Sequence, residues 1–269
     1  MATAPQGILA QFDLRGKTAV VTGGARGLGF EMMKTCAELG ANCACVDLLA
    51  SVGQGSCQLL ASTYGIKATS WGCDVTSDVQ VAEVFGKIMA EHGSIDILIT
   101  SAGICHNVPA VEYPVKNFNR VMDINITGSF LCAQAAAKYM IEAGKGGSIV
   151  FVASMSAHIV NHPQPQAAYN ASKAGVIQLG KSLACEWAQY KIRVNSISPG
   201  YMETDLTKDI LEKAGEEGRK LRATWEGSAP MKRMGQPAEL GGVIAFLASN
   251  ASSFVTGTDI LVDGGYTAL

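Results

Sequence analysis

The sequence is poor in charged residues and in proline. Of its 269 residues, 16% are charged and 8 are proline, whereas 48% are hydrophobic. A disordered chain has the opposite balance, with low hydrophobicity and high charge, so that class is excluded. The formal net charge is −2, without the basic excess that nucleic-acid-binding proteins use to neutralise phosphates. We therefore expect a globular protein that has no nucleic-acid partner.

Long apolar runs and metal-type cysteine pairs are also missing. No apolar run reaches 18 residues, which predicts no membrane partner, and the start MATAPQGILA lacks the basic and apolar regions of a secretory signal. None of the eight cysteines forms a Cys-x-x-Cys pair, and the four histidines lie at no metal-ligand spacing. We expect a cytoplasmic protein with reduced cysteines and no metal site.

Thirty glycines punctuate an alternation of short apolar runs and amphipathic stretches. This alternation predicts an α/β fold with a parallel sheet of about seven strands, covered by helices on both faces. No linker is visible, so residues 1–269 are expected to form one domain. The predicted strands cover residues 17–22, 42–47, 67–73, 95–100, 147–153, 192–197 and 259–262, with helices at 27–39, 51–64, 78–92, 114–124, 125–143, 167–189 and 237–249.

One segment differs from the rest in composition. In residues 201–226, 12 of the 26 residues are charged, a far higher share than in the whole chain. Two interpretations stay open: one or two solvated helices, or a mobile substrate lid that closes over a site.

A glycine-rich octapeptide, TGGARGLG, follows the first predicted strand and opens the first predicted helix. Gly23 permits a tight turn, Gly27 lets the backbone approach a pyrophosphate, and Gly29 permits close packing of helix and strand. The amide groups of the helix start would face the anion, with Arg26 and Leu28 beside it. The octapeptide predicts a dinucleotide site, although a plain strand–helix turn is the alternative.

Two acidic residues extend this prediction. Asp47 ends the second strand, where a carboxylate can accept both hydrogen bonds from the adenosine ribose. It would repel a 2′-phosphate by about 4 kcal/mol at 4 Å, so it favours NAD, while Arg26 is an opposing signal that keeps NADP possible. Asp74 and Val75, after the third strand, are placed to meet the adenine, and Asp74 can alternatively cap the next helix.

Tyr169 and Lys173 lie four residues apart in a predicted helix and therefore share one face. A free tyrosine titrates near 10, and an ammonium about 4 Å away would lower that pKa by about three units. Tyr169 would then serve as a general acid or base near neutral pH. The alternative for this common spacing is an ordinary pair on a helix surface.

The chain resembles the short-chain dehydrogenase/reductase family from about Leu14 to Thr267. The resemblance implies a single Rossmann-type domain, assembly as a homotetramer, and NAD(P)-dependent oxidation of an alcohol or reduction of a ketone. The motifs that carry it, in order, are TGGARGLG, Asp74, Ala102-Gly103, Asn125, a serine after the fifth strand, the Tyr169/Lys173 pair, Pro199-Gly200, and Asp263-Gly264-Gly265.

The family roles map onto individual residues. The resemblance implies that Tyr169 exchanges a proton with the substrate oxygen and that Lys173 lowers its pKa and binds the nicotinamide ribose. Asn125 would hold a water that links Lys173 to solvent, and the serine would hydrogen-bond the carbonyl. The further residues that the resemblance places at the cofactor are Ala102, Gly103, Ile197, Pro199, Gly200 and Thr204.

Two departures from the family pattern matter. The serine that lies thirteen residues before Tyr169 would be Ser156, but the end of the predicted strand points to Ser154, which we choose. Residues 100–103 read Thr-Ser-Ala-Gly where family members usually carry Asn-Asn-Ala-Gly. We expect that change to affect stability and not activity.

The stretch after the fifth strand resembles that of fungal-type polyol dehydrogenases, which interconvert mannitol, arabinitol or xylitol with ketoses. Its polar side chains suit a polyhydroxylated substrate, although a solvated loop is the alternative. Other candidates are reduction of a 3-oxoacyl thioester or a secondary-metabolite ketone, and a catalytically silent NADH-binding regulator. The predicted substrate contacts are Ser154, Ser156, His158, Asn161 and Tyr169.

Overall fold

The computed structural model describes residues 7–269, which form a seven-stranded, wholly parallel sheet. Its strand order is β3-β2-β1-β4-β5-β6-β7. The strands are β1 (Thr18–Thr22), β2 (Asn42–Asp47), β3 (Ala68–Gly72), β4 (Ile97–Thr100), β5 (Gly147–Val152), β6 (Ile192–Pro199) and β7 (Asp259–Val262).

Helices cover both faces of this sheet, as the continuous apolar runs of the strands require. Successive residues of β5 show the division: Ile149 and Phe151 enter one core cluster, while Val150 and Val152 enter the other. The helices are α1 (Gly27–Glu38), α2 (Ala50–Tyr64), α3 (Asp78–His92), α4 (Val115–Met122), α5 (Ser129–Ala143), α6 (Ala167–Trp187), α7 (Asp205–Lys213), α8 (Gly215–Ser228) and α9 (Gly241–Ala248). The predicted doubly wound fold is confirmed.

The order of the strands reverses at β1, which pairs with β2 on one side and with β4 on the other. Thr22, the last residue of β1, lies opposite Val46 and Thr100 in the two neighbours. The connections after β1 and β4 therefore run to opposite faces and leave a crevice at the carboxyl ends of these strands. Ligands of open parallel sheets bind at such a point.

The predicted strands agree with the observed ones to within two residues at every end. Two helical regions differ from expectation. Residues Asp123–Gly128 join α4 and α5 through a π-helical turn, so the predicted boundary at 124/125 is not a break in the chain. The charged segment 201–226 forms α7 and most of α8, and it buries Leu211 and Trp225 in a small core. It is therefore packed on one side and is not simply a solvated segment.

The remaining sequence expectations concern membranes, thiols and metals. No helix within residues 7–269 has the length and apolarity to cross a bilayer. All eight cysteines are free thiols, six buried and two, Cys105 and Cys185, exposed. Over the same residues, no three His, Cys, Asp or Glu side chains are grouped as metal ligands.

Candidate active site

The glycine-rich loop is tightly packed at two of its glycines and open at the third. Gly23 has φ +66°, and a Cβ there would lie 2.8 Å from the amide nitrogen of Ala102. A Cβ on Gly29 would lie 2.1 Å from the carbonyl oxygen of Gly23. Gly27 has φ +61° and no atom within 4 Å of a Cβ position. The loop therefore closes against the protein and leaves its Gly27 side free for a ligand.

The start of α1 is electrostatically suited to an anion. Arg26 precedes it in extended conformation, no side chain caps the helix, and its first turn contains no acidic residue. The orphan amides and the positive end of the helix dipole are then available to a pyrophosphate. Together with the open side at Gly27, this fits the phosphates of a dinucleotide, with Leu28 in the same first turn.

Asp47 lies beside this loop in a fixed orientation. Its Oδ2 accepts a hydrogen bond from the amide of Ala25 at 3.1 Å, and its Oδ1 accepts one from the amide of Leu49 at 2.9 Å. The carboxylate is thereby held at the carboxyl end of β2, where the predicted ribose contact requires it. Arg26 is exposed and makes no side-chain hydrogen bond or ion pair with residues 7–269.

Asp74 and Val75 stabilise the turn after β3. Asp74 Oδ1 accepts from the amide of Thr76 at 3.0 Å and from its hydroxyl at 2.7 Å, and these bonds lower the pKa of the Asp74 carboxyl. Ser77 caps α3, so the alternative in which Asp74 caps that helix is wrong. Val75 is buried and would contact a Cβ on Gly128. The adenine contact of both residues stays a prediction.

The segment after β4 lies between the glycine-rich loop on one side and Asn125 and Lys173 on the other. Ala102 donates its amide to the Thr22 hydroxyl at 3.3 Å. A Cβ on Gly103 would lie 3.2 Å from Asn125 Oδ1 and 3.5 Å from Lys173 Nζ. The hydroxyl of Thr100 is buried without a hydrogen-bond partner, and the expected effect of this segment on stability stays a prediction.

Asn125 sits in the π-helical turn between α4 and α5, a conformation often found at functional sites. Its Oδ1 accepts from the Ile104 amide at 2.9 Å, and its Nδ2 donates to the Ile104 carbonyl at 3.0 Å and to the Ser172 hydroxyl at 2.9 Å. Both amide hydrogens are used by the protein, which fixes the side chain. The water contact implied by the family resemblance stays a prediction and would involve Oδ1.

Tyr169 and Lys173 share one face of α6, as their spacing predicted. Lys173 Nζ lies 5.6 Å from the centre of the Tyr169 ring and donates to the Val152 carbonyl at 2.7 Å. Burial raises the pKa of the Tyr169 phenol to about 12 and lowers the pKa of the Lys173 ammonium to about 8.

The predicted fall in the pKa of Tyr169 is therefore wrong for this structure. A charge about 4 Å away would lower that pKa only where desolvation is small. In the structure the ammonium is directed at Val152, and burial penalises the charged forms of both groups. The hydrogen bond to Ser154 opposes the rise in the pKa of Tyr169 but does not cancel it.

Ser154 lies two residues beyond the end of β5, and it is the serine that hydrogen-bonds the phenol of Tyr169. Its Oγ accepts from the amide of Ser156 at 3.1 Å and donates to the hydroxyl of Ser156 at 3.1 Å. Ser156 also accepts from Gln166 Nε2 at 3.1 Å. Ser154 therefore lies between Tyr169 and Ser156, and the choice of Ser154 as the serine that bonds the substrate oxygen stays a prediction.

Two predicted substrate contacts are occupied elsewhere. His158 Nε2 pairs with Asp259 Oδ2 at 2.8 Å, and Asp259 is the first residue of β7. Asn161 is 1% exposed and bonds both Gln166 and Tyr201. Asn161 is thus buried among protein partners, whereas His158 is exposed, and both substrate contacts stay predictions.

The residues predicted to contact the nicotinamide lie at the end of β6 or just after it, at the carboxyl edge of the sheet. Pro199 ends that strand opposite Val262, and Gly200 donates its amide to the Val262 carbonyl at 2.9 Å. A Cβ on Gly200 would lie 2.7 Å from Asp263 Cα, so glycine is required there. The Thr204 hydroxyl accepts from the amide of Thr207 at the start of α7. Ile197 is buried in the sheet.

An aromatic and amide cluster beside the site was missed by the sequence analysis. The rings of Tyr201 and Trp225 stack with centroids 4.3 Å apart, and Tyr266 meets Tyr201 edge-on at 5.7 Å. Gln164 and Gln166 bond to its members. The sequence signals were the polar loop side chains Asn161 and Gln164 and the two aromatic residues of the charged segment, Tyr201 and Trp225.

Comparisons with known proteins agree with this arrangement. A family model described as enoyl-(acyl carrier protein) reductase matches residues 23–267. A short-chain type dehydrogenase/reductase from Mycobacterium marinum, known from a crystal structure, is 42% identical, with a TM-score of 0.91 over 98% of this chain and 100% of its own. The chain belongs to the short-chain dehydrogenase/reductase family.

Curated relatives in this family act on sugars and polyols by name. The chain is 41% identical to a D-arabinitol 2-dehydrogenase (ribulose-forming) from Scheffersomyces stipitis, over 96% of each chain. It is 38% identical to an NADH-dependent L-xylulose reductase from Ambrosiozyma monospora, over 96% of this chain and 97% of the relative. The protein is therefore an oxidoreductase of the NAD(P)-dependent alcohol dehydrogenase type.

The two serines of this dehydrogenase/reductase can be told apart by substitution. We expect Ser154→Ala to lose most of the turnover, because its hydroxyl bonds the Tyr169 phenol, and Ser156→Ala to lose less. Removing one preorganised donor at a developing oxyanion costs about 100- to 1,000-fold in kcat. Steady-state kinetics of both variants, with circular dichroism as a control for folding, give the ranking. The reverse ranking would contradict the assignment of Ser154.

Buried Lys173 predicts a specific pH dependence of stability. Because its pKa falls from 10.5 to about 8, the unfolded chain binds more protons than the folded one between these values. The free energy of unfolding of the wild type, relative to Lys173→Met, should therefore rise as the pH increases from 8 to 10.5, by about 3 kcal/mol in all. Urea unfolding at pH 7, 8 and 9.5 measures this; a constant difference would show that the ammonium is not desolvated.

Proposed function

We propose that the protein transfers a hydride between NAD(H) and a polyol/ketose pair, with Tyr169 as the general acid and base. The proposal depends most on one observation: Ser154, Tyr169 and Lys173 meet at the carboxyl end of β5, next to an open anion site on the glycine-rich loop. The sugar and polyol names of the relatives support the choice of substrate.

The roles of the side chains follow from their contacts. A bound nicotinamide supplies or accepts the hydride at C4. With a pKa of about 12, the Tyr169 phenol is protonated at neutral pH, which is the form that donates a proton to a ketone oxygen during reduction. The Ser154 hydroxyl, which donates to Ser156 in this structure, would turn to donate to the same substrate oxygen and fix its position.

Lys173 is proposed to govern the reverse, oxidising direction. Its amino group lies on the Tyr169 side of α6 and changes charge near pH 8, within the working range of an enzyme. A protonated Lys173 favours the phenolate that would accept the proton of an alcohol. Gly103, without a side chain, leaves the space between Lys173 and Asn125 open for a water or a ribose hydroxyl.

NAD is the proposed cofactor, and NADP is the alternative. Asp47 is fixed by two backbone amides, and the next residues, Leu48 and Leu49, are exposed and apolar, so no cation follows it to bind a 2′-phosphate. Arg26, exposed beside the loop, is the residue that would support NADP. Names of relatives include both NADH-dependent and NADP-dependent enzymes.

Reduction of the acyl chain of a thioester substrate is the second candidate, because the matching family model is described as an enoyl-(acyl carrier protein) reductase. The segment 201–226 beside the site has seven acidic and five basic residues, which does not suit an acidic carrier protein. We therefore prefer the polyol. The homotetramer and the cytoplasmic location stay predictions from the family resemblance and from composition.

The experiment for this function measures NADH and NADPH oxidation with ketoses, keto acids and acyl thioesters, and NAD reduction with polyols. We expect activity with NAD(H) and a ketose/polyol pair. Tyr169→Phe should lower kcat by about 100- to 10,000-fold, because it removes the general acid and base, while NADH still binds in a fluorescence titration. A wild type that binds NADH and turns over none of these compounds would instead support the silent regulator.

The choice of cofactor is tested at Asp47. Asp47→Asn keeps one oxygen for a backbone amide and removes the charge, so we expect kcat/KM with NADPH to rise at least tenfold and that with NADH to fall. Arg26→Ala is the matched control. If the wild type prefers NADPH and Arg26→Ala abolishes that preference, the proposal of NAD is wrong.

A further inference from the structure

Gln164 lies in the connection between β5 and α6, and two aromatic residues donate to its side-chain oxygen. The Trp225 indole donates from Nε1 at 3.1 Å, and the Tyr201 hydroxyl donates to the same oxygen. An indole N–H can only donate, so the atom that it meets must be the oxygen of the carboxamide. The orientation of Gln164 is therefore fixed by its partners.

This orientation leaves the amide nitrogen of Gln164 without an acceptor. Nε2 makes no hydrogen bond to any residue of 7–269, yet it is not among the buried atoms that lack a partner. It therefore reaches the protein surface with two N–H donors free. A side chain that is held rigidly at one end and exposes donors at the other is suited to bind an oxygen of a ligand.

The Gln164 side chain belongs to a hydrogen-bond network that extends to Ser154. Tyr201 accepts from Asn161 Nδ2 at 3.3 Å, and Asn161 Oδ1 accepts from Gln166 Nε2 at 2.8 Å. Gln166 in turn donates to Ser156, which accepts from Ser154. Through these bonds, Gln164 is held in a fixed position relative to the serine that faces the reacting oxygen.

We propose that Gln164 is a specificity-determining residue that donates to a substrate hydroxyl beyond the reacting carbon, and that Tyr201 and Trp225 are its positioning residues. This inference depends on the proposed function, because only a polyhydroxylated substrate has such a hydroxyl. It assigns a purpose to Trp225, the buried aromatic of a charged helix. Packing alone would not require that two donors converge on one oxygen.

The energetic consequence is a preference that depends on the substrate. An alcohol with further hydroxyl groups gains a hydrogen bond from a donor whose orientation is already fixed, whereas a simple alcohol leaves that donor in water. Loss of the donor should therefore weaken polyol binding and affect a simple alcohol much less. A general loss of structure would lower both alike.

The test compares Gln164→Met with the wild type on D-arabinitol and on 2-butanol, both with saturating NAD. Methionine keeps the length of the side chain and removes its donors. We expect kcat/KM for the polyol to fall about tenfold, mainly through KM, and to fall at least fivefold more than that for 2-butanol. Gln58→Met, an exposed glutamine on α2, is the matched control.

The positioning role is tested by Trp225→Phe, which keeps a ring to stack on Tyr201 but lacks the N–H. We expect KM for the polyol to rise in this variant too, by at least about one third of the rise in Gln164→Met. Equal losses on both alcohols in Gln164→Met, or no change, would overturn the inference while the polyol activity of the wild type still stood. A wild type inactive on every polyol would overturn the proposed function, and this inference with it.

Discussion

The hydrogen bond from Lys173 to the carbonyl of Val152 holds α6, the helix that carries Tyr169, against the sheet. It joins the second turn of α6 to the last residue of β5 at 2.7 Å and holds a buried ammonium where the strands end. A buried charge is costly unless it is paired or bonded. The buried ammonium lies at the same edge of the sheet as Ser154, Asn125 and the glycine-rich loop. Because Tyr169 lies one helical turn before Lys173 on α6, the position of the lysine also fixes that of the tyrosine.

The same requirement, that buried polar groups find partners, shapes the surroundings of the site. Asn125 is bonded on both sides of its carboxamide, and Asn161 and Gln166 satisfy one another below the surface. A network of this kind is rigid only if every member is satisfied. The carboxamides therefore hold the serine and the aromatic residues in place, and few of their atoms remain for a substrate.

The sequence was sufficient for the fold, because strand positions depend on apolar runs that are local in the chain. The tight turn at Gly23, the close packing at Gly29 and the shared face of Tyr169 and Lys173 were equally predictable, since they depend on spacing. The pKa of Tyr169 was not, because desolvation depends on packing by residues distant in sequence. The contact of His158 was not predictable for a related reason: its partner, Asp259, is 101 residues away and left no local signal.

These observations separate the site into two ends with different constraints. At the end where the substrate oxygen would react, every alcohol requires the same proton transfer. Ser154, Tyr169 and Lys173 are packed against the sheet at this end, so their positions can vary little. At the other end, Gln164 is bonded to Tyr201 and Trp225, which belong to a segment with its own small core of Leu211, Trp225 and Met234. Because that core is separate from the two that flank the sheet, the proposed function predicts that substitutions there change the binding of a substrate hydroxyl without disturbing proton transfer at Tyr169. The preference for one polyol over another should therefore be determined by α8 and the loop that faces it, and not by the strand ends.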